Sequence, residues 1–375
     1  MARSMAADIG RHFADLSDPR RRKVVYPLIN IVTIALCAVI CGADDFVSIA
    51  FWGRTKKEWL SKFLDLSSGI PSHDRFNAIL GALRPAEFEK CLLNWITALH
   101  EISDGQIVAI DGKTLRRSFD AASSKSAIHM VSAWATANHL SLGQVVVDEK
   151  SNEITAIPKL LEILAISGCL VTIDAMGCQT DIAEAIVGGG ADYLLAVKRN
   201  QPTLHDGIAA FFDKQLENDF ADVKVSRHET NERGHGREET RHYFVCSVPD
   251  DLPDAARWSK LKAIGVAISD TLRDGKSCSH VRYYILSRKL SARRFAAAVR
   301  GHWSIENCLH WQLDVTFQED QCRVRQGHAD ANLSILRRAA LGLLKNNHSH
   351  KIGIKNKRLA AGWDDNYRLE ILRGS

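Results

Sequence analysis

Three regions of distinct residue pattern predict an α/β fold: one mixed sheet flanked by helices and followed by a β-rich stretch. Residues 1–100 carry apolar positions at helical spacing, residues 106–200 carry short apolar runs typical of strands, and helical spacing returns from Ala292. At 375 residues and 46% hydrophobic, the chain is long and apolar enough for two or three cored units, which excludes a disordered chain.

In the first region Ile29, Val32, Ile34, Ala35 and Val39 recur on one helical face. Ala43-Asp44-Asp45 opens a second helix through Phe46, Ile49 and Trp52, and Trp59, Leu60, Phe63 and Leu64 continue an amphipathic stretch. Gly69-Ile70-Pro71-Ser72 is a break, with Ser72 placed to cap the next helix and Asp74 suited to its positive end. Phe76, Ile79, Leu80 and Leu83 follow at helical spacing. Two readings fit this region: a DNA-binding helical module, or a plain bundle covering a catalytic core.

The second region reads as strands at Ile107–Ile110, Ile128–Ala137 and Leu142–Val147, with Asn138-His139 turning between the last two. A helix follows over Ile157–Ile166 with Thr155 as its cap, then strand Leu170–Ile173, helix Ile182–Val187, a Gly188-Gly189-Gly190 break and strand Tyr193–Val197. Three strands, then helix–strand–helix–strand, is the order of an RNase H-like sheet, in which the first strand is central and the fourth lies beside it. Residues 202–290 read as a β-rich insertion: His228–Arg237 is polar and loop-like, and strands are expected at Glu239–Val245, Lys262–Ser269 and Arg282–Ser287. A helix through Phe295, Val299, His302, Glu306, Leu309, His310 and Leu313 returns to the core, and a last helix over Asn332–Leu344 presents Leu333, Leu336, Ala340 and Leu343. The expected units are therefore 1–100 (helical), 101–201 and 291–346 (the two parts of the core), 202–290 (the insertion) and 347–375 (a basic tail).

Two of the strand runs end on acids: Gln-Ile-Val-Ala-Ile-Asp111-Gly-Lys-Thr and Cys-Leu-Val-Thr-Ile-Asp174-Ala-Met-Gly. Open α/β sheets place their chemistry at this carboxyl edge. With Glu306 from the helix, the two aspartates make a hard-oxygen cage suited to Mg²⁺ or Mn²⁺, and hence to phosphoryl transfer on nucleic acid. Three ionised carboxylates about 4–5 Å apart repel by about 4 kcal/mol per pair at an effective dielectric near 20, a penalty that a divalent ion removes. Asp314, Glu319 and Asp320 compete with Glu306 for the third place. In favour of Glu306, His302, Glu306 and His310 share one helical face.

From Arg323 to Arg373 there are eleven Lys/Arg against four Asp/Glu, a surplus of seven that exceeds the chain's net charge of +5. A basic end on a near-neutral body suits a polyanion, or is a solvated helical end. Candidate DNA contacts are Lys113, Arg116, Arg117, Lys198, Asn200, Arg237, Arg241, His302, Arg323 and Arg325, each of which also reads as ordinary surface polarity. Trp303 and Trp311 read either as stacking platforms for a base or as helix-packing tryptophans. Nine cysteines without a Cys-x-x-Cys pair point to free thiols in a reducing compartment. Cys308, His310, Cys322 and His328 lack the two tight pairs of a zinc site. The apolar run Leu28–Gly42 is short for a membrane span and reads as a buried helix.

Ile-Asp111-Gly-Lys, Thr-Ile-Asp174-Ala-Met and above all Arg300-Gly-His-Trp-Ser-Ile-Glu306-Asn-Cys-Leu-His-Trp-Gln-Leu-Asp314-Val-Thr-Phe-Gln-Glu319-Asp320 resemble the DDE transposases of bacterial insertion sequences, in the ISAs-type, H-repeat-associated (Rhs-linked) branch. The likeness runs over nearly the whole chain; Leu36-Cys37-Ala38-Val39 and Gly69-Ile-Pro-Ser-His-Asp74 resemble that branch's N-terminal associated domain. It implies an RNase H-like core and Mg²⁺-dependent cutting and joining of double-stranded DNA at transposon ends. The triad would be Asp111, Asp174 and Glu306, in a cytoplasmic, nucleoid-associated protein acting as a homodimer. The wider superfamily often shows Tyr-x2-Arg-x3-Glu-x6-Lys around the third acid; Val299, His302 and Leu313 stand at those places here, so hairpin formation and base flipping are not implied. The competing functions are a nuclease that cuts without joining and a non-catalytic DNA-binding regulator.

Overall fold

The computed structural model describes residues 9–21, 24–99, 106–114, 129–137, 139–147, 153–234, 236–273 and 275–374. In chain order the helices before the sheet are α1 (Leu28–Ile40), α2 (Phe46–Thr55), α3 (Lys57–Leu60), α4 (His73–Ala82) and α5 (Pro85–Leu99). The sheet region holds β1 (Ile107–Thr114), β2 (His129–Ala135), β3 (Leu140–Val147), α6 (Glu153–Ile163), β4 (Leu170–Ile173), α7 (Thr180–Gly188), β5 (Asp192–Val197) and α8 (Pro202–Glu217). Then come β6 (Val225–Gly234), β7 (Arg237–Ser247), β8 (Ala263–Arg273), β9 (Lys276–Leu286), α9 (Ala292–His302), α10 (Trp311–Val315), α11 (Ala329–Asn346), α12 (Ile354–Trp363) and α13 (Asp365–Arg373).

One nine-stranded sheet runs in the order β3-β2-β1-β4-β5-β9-β8-β7-β6. β1, β2 and β3 pair antiparallel, whereas β1–β4 and β4–β5 are parallel. The central strands β1, β4 and β5 are short and apolar because both faces are covered, α6 and α7 packing together on one side and α9 crossing β1 and β4. The hairpins β6–β9 do not form a sheet of their own. β9 pairs with β5 through Leu194↔Leu286 to Val197↔Tyr283, so this region extends the core sheet.

Two elements depart from the sequence pattern here. His228–Arg237 is strand rather than loop apart from the turn: β6 is the edge strand, exposed along most of its length, so no apolar alternation marks it. Cross-strand polar pairs hold it instead, Thr240 to Asn231 at 2.6 Å and Arg241 to Glu232 at 2.9 Å. α8 lies inside the stretch expected to be β-rich; Pro202 opens its first turn, and Leu204, Ile208 and Phe212, four apart, are its buried face.

The first helices form a bundle over the sheet. Asp45 caps α2, accepting from Ser48 N at 2.7 Å, and Ser72 caps α4, accepting from Arg75 N at 3.4 Å. α1, α4 and α5 pack on α11, which also packs on β3. Every residue from Ala329 to Leu344 is buried, so α11 is a spine between bundle and sheet rather than a one-faced surface helix. Its polar positions have internal partners: Asn332 donates to Leu80 O at 2.6 Å and Leu83 O at 2.9 Å, meeting carbonyls at the end of α4 that lack helical partners.

The C-terminal residues correct the expectation of a basic tail. They form α12 and α13, and five of the eleven cations counted there are buried: Arg337, Arg338, Lys357, Arg358 and Arg368. Arg358 donates to Asp44 Oδ1 at 2.7 Å and to Val39 O at 3.0 Å, and stacks 4.1 Å over Phe317. Arg368 lies 3.9 Å over Trp59. These charges fasten the chain's end to α1 and α3. All nine cysteines are free thiols. Among the described residues no helix is long and apolar enough to cross a membrane; α1 is a buried helix of 13 residues.

Candidate active site

The β1–β4 ladder ends at Ile110↔Ile173, so Asp111 and Asp174 are the next residue on each of two neighbouring parallel strands. Beyond that point the strands part. β1 continues along β2, with Asp111 opposite Ser132, while β4 turns away into a single 3₁₀ turn over Ala175–Gly177. The crevice between them is the carboxyl edge expected to hold the chemistry. Asp174 shapes its own turn by accepting from Met176 N at 3.1 Å, and Asn200, beyond β5, donates to Ala175 O at 2.6 Å.

α9 ends at His302, and the chain enters a π-turn over Glu306–His310 before α10. In this turn Trp311 N bonds back five residues to Glu306 O. The wider turn aims Glu306 and His310 together at the end of β1: His310 Nδ1 lies 3.5 Å from Asp111 Oδ2 and 3.9 Å from Glu306 Oε2. One donor atom each from Asp111, Glu306 and His310 lies within 4.8 Å of the others. Asp174 stands outside that set, yet its charge acts on Asp111. Burial, together with Glu306, Asp174 and Glu153, pushes the Asp111 carboxyl up to about 7, against an opposing hydrogen bond from Gly112 N–H. His310 is buried, and burial with the nearby charges of Arg338 and Lys113 drives its imidazole down to about 3, so the ring is neutral.

The acids that compete with Glu306 have other tasks. Glu319 is fully buried, accepting from Lys113 at 3.1 Å, Arg338 at 3.1 Å and Ser334 at 2.7 Å. Burial opposes its ionisation, but Arg338, Lys113 and Arg337 outweigh that and hold it below the usual carboxylate range. Asp314 pairs with Lys113. The expected phosphate contact of Lys113 therefore gives way to an internal role: its ammonium, 8% exposed, ties β1 to the segment after α10.

Gly112 is dictated by close approach. A Cβ there would lie 2.1 Å from Glu153 Oε1 and 2.9 Å from His129 Nε2. Those two groups pair at 2.6 Å across the strand, and His129 Nδ1 meets Thr114 Oγ1 at 2.7 Å. Sequence reasoning missed Glu153 and His129, and took His310 as a facial neighbour of Glu306 and a member of a rejected zinc set; the Asp-Gly pair after an apolar strand was the available signal for the first two.

The other candidates scatter. His302 sits against β4, its Nδ1 3.2 Å from Thr172 Oγ1. Lys198 and Asn200 are exposed just past β5, on the crevice side of the sheet. Arg237 pairs with Glu239 at 2.9 Å, and Arg241 pairs with Glu239 and Glu232. Arg323 and Arg325 line a cleft with Asp44, His73 and Asn77, at the bundle's edge. Arg116 and Arg117 lie outside the described residues. Trp303 and Trp311 flank the π-turn, 48% and 54% exposed, so neither packs in a core; Arg282 stacks over Trp303 at 5.0 Å.

This chain is similar to known proteins along its whole length. Residues 102–343 match the family described as Transposase DDE domain, and residues 10–96 match the family described as DDE_Tnp_1-associated. It is 42% identical over 371 residues to the H repeat-associated putative transposase YhhI of Escherichia coli (strain K12), covering 97% of each chain. It is 44% identical over 354 residues to the putative transposase YncI of Escherichia coli O157:H7, covering 93% of this chain and 90% of that one. The chain thus belongs to the DDE transposase family, in its H repeat-associated branch.

Proposed function

We propose that this transposase cuts DNA at the ends of its element and joins them to target DNA through the crevice at the ends of β1 and β4, with Asp111, Asp174 and Glu306 as its catalytic carboxylates. The single observation that carries this is the like-charge crowding at Asp111: Asp174 follows it on the neighbouring parallel strand, Glu306 lies within 4.8 Å, and burial with these charges pushes its carboxyl up to about 7. Such crowding costs stability unless a cation relieves it. The strand order β3-β2-β1-β4-β5, antiparallel then parallel, supports an RNase H-like core.

The residues present fit divalent ions: carboxylate oxygens and a neutral imidazole converge within 4.8 Å. Asp111, Glu306 and Asp174 would hold Mg²⁺ or Mn²⁺, in a pair. When bound, the ions supply Lewis-acid polarisation of the scissile phosphate and of the attacking oxygen. The protein's own contribution is positioning. The β1–β4 ladder fixes the two aspartates side by side, Asn200 steadies the Asp174 turn, and the Lys113–Glu319–Arg338 network anchors the end of β1. The exposure of Lys198, beyond β5, and of Trp303 and Trp311 supports their contact with phosphate and base. Bringing two transposon ends together calls for two copies of the chain, working on DNA in the bacterial cytoplasm.

Incubation of the protein with DNA carrying the element's terminal repeats and Mg²⁺ tests this. The expected result is cleavage at the repeat ends and joining to a second duplex, lost in Asp111→Asn and Asp174→Asn. Cleavage without joining would leave a nuclease; full activity of both variants would remove the aspartates from the reaction.

A further inference from the structure

His310 is the group at the crevice that the three-carboxylate description leaves unexplained. Its side chain is 5% exposed, and its Nε2 has no hydrogen-bond partner among the described residues. Buried imidazoles ordinarily have both nitrogens accounted for. Its Nδ1 points between Asp111 and Glu306, at 3.5 Å and 3.9 Å. Those distances are too long for strong N–H···O bonds, which fall at about 2.7–3.2 Å. They are the separations expected between ligands that share one ion: donors about 2.0–2.2 Å from a divalent metal lie about 3–4.4 Å from one another.

The backbone is built to produce this placement. The π-turn holds Glu306 and His310 over the same strand end, and it sits within the stretch between His302 and Leu313 expected to be continuous helix.

We propose that His310 is a ligand of the divalent ion held by Asp111 and Glu306, so that this metal centre is of mixed oxygen–nitrogen type rather than oxygen-only. This deepens the function given above and rests on it for the ion's role in DNA processing. A mixed set changes selectivity: imidazole favours Mn²⁺, and more strongly Zn²⁺, over Mg²⁺. The chain should therefore take up Mn²⁺ more tightly than Mg²⁺ before any DNA is present.

Pulsed electron paramagnetic resonance on Mn²⁺ bound to the full-length protein without DNA gives the direct test. The expected spectrum carries the hyperfine coupling of one directly bound ¹⁴N, replaced by a ¹⁵N pattern when the histidines are ¹⁵N-labelled. In His310→Ala the coupling disappears and Mn²⁺ affinity falls by about tenfold or more; His310→Gln is the backup should the alanine variant fail to fold. Three results would overturn the proposal: Mn²⁺ bound to the wild type with no nitrogen coupling, coupling that survives both substitutions, or no Mn²⁺ uptake at millimolar concentrations. The functional reading is separable. Mn²⁺ lost in Asp111→Asn but never coupled to nitrogen sinks His310 alone. A nitrogen-coupled ion in a protein that neither cuts nor joins DNA sinks the reaction and leaves the ligand.

Discussion

Two charged clusters sit side by side at the end of β1, one around Lys113 and one around Asp111, and they are built on opposite rules. In the first, Lys113, Glu319, Arg338 and Ser334 form a closed set in which the buried Glu319 carboxylate meets a donor at each oxygen. In the second, Asp111 feels the charges of Glu306, Asp174 and Glu153, all of its own sign, with the neutral His310 beside it. Burial acts on both carboxylates, yet Glu319 is held ionised while Asp111 is pushed up to about 7. The sign of the neighbours decides the outcome, and with it the use: paired charge fastens elements together, and crowded like charge is a site waiting for a cation.

Breaking each cluster should therefore give opposite signatures. Asp111→Asn should reduce strand joining by at least the ~10²–10³-fold typical of losing one electrostatic contact to a transition state. In the metal-free protein it should leave the urea midpoint unchanged or higher, because a like charge is gone. A lowered midpoint would mean that Asp111 holds the fold. Glu319→Gln should do the reverse, destabilising by about 3–5 kcal/mol in equilibrium unfolding, since Lys113 and Arg338 stay buried with a partner charge missing. Wild-type stability in that variant would show the network to be ornamental.

Gly112→Ala, at the residue between Asp111 and Lys113 in the chain, sharpens the comparison. The new methyl must displace Glu153 from 2.1 Å, so about 1–3 kcal/mol of stability should be lost, together with part of the joining activity. Restoration by a second substitution, Glu153→Ala, would tie the loss to that approach. A pH-dependent effect belongs to Glu89, on α5. Burial raises its carboxyl to about 8 from 4.5, with the Arg338 charge opposing. Its folded value lies above the unfolded one, so the stability linked to its proton is complete below about 4.5 and declines as the pH climbs to about 8. Melting temperatures of Glu89→Gln should fall less between pH 5 and pH 8 than those of the wild type; parallel curves would contradict this.

Much of the fold was legible because local periodicity and burial agree along most of the chain. β4 at Leu170–Ile173 falls where its apolar run lies, and β1 and β5 begin within a residue of theirs. Elements shaped by distant partners were not legible. β6 has no apolar face because it is a wet edge strand, and α11 looks one-faced although its polar side is satisfied by residues from α4 and by Glu319. The C-terminal basic surplus misled for the same reason: composition counts a cation without saying whether an aromatic face or a carboxylate waits for it, as Trp59 waits for Arg368. At the site, the two aspartates follow from strand endings, whereas His310 depends on a π-turn, and nothing in its spacing announces one residue more per turn.

The most direct test of a shared ion pocket is calorimetric titration of Mn²⁺ into the wild type and into Asp111→Asn, Asp174→Asn and Glu306→Gln, each checked for an unchanged unfolding midpoint. Tight uptake in the wild type that weakens in all three folded variants is the result the geometry predicts. Uptake that is the same in all four proteins would mean that these carboxylates hold no common ion, and the assignment of this crevice as the catalytic centre would fall.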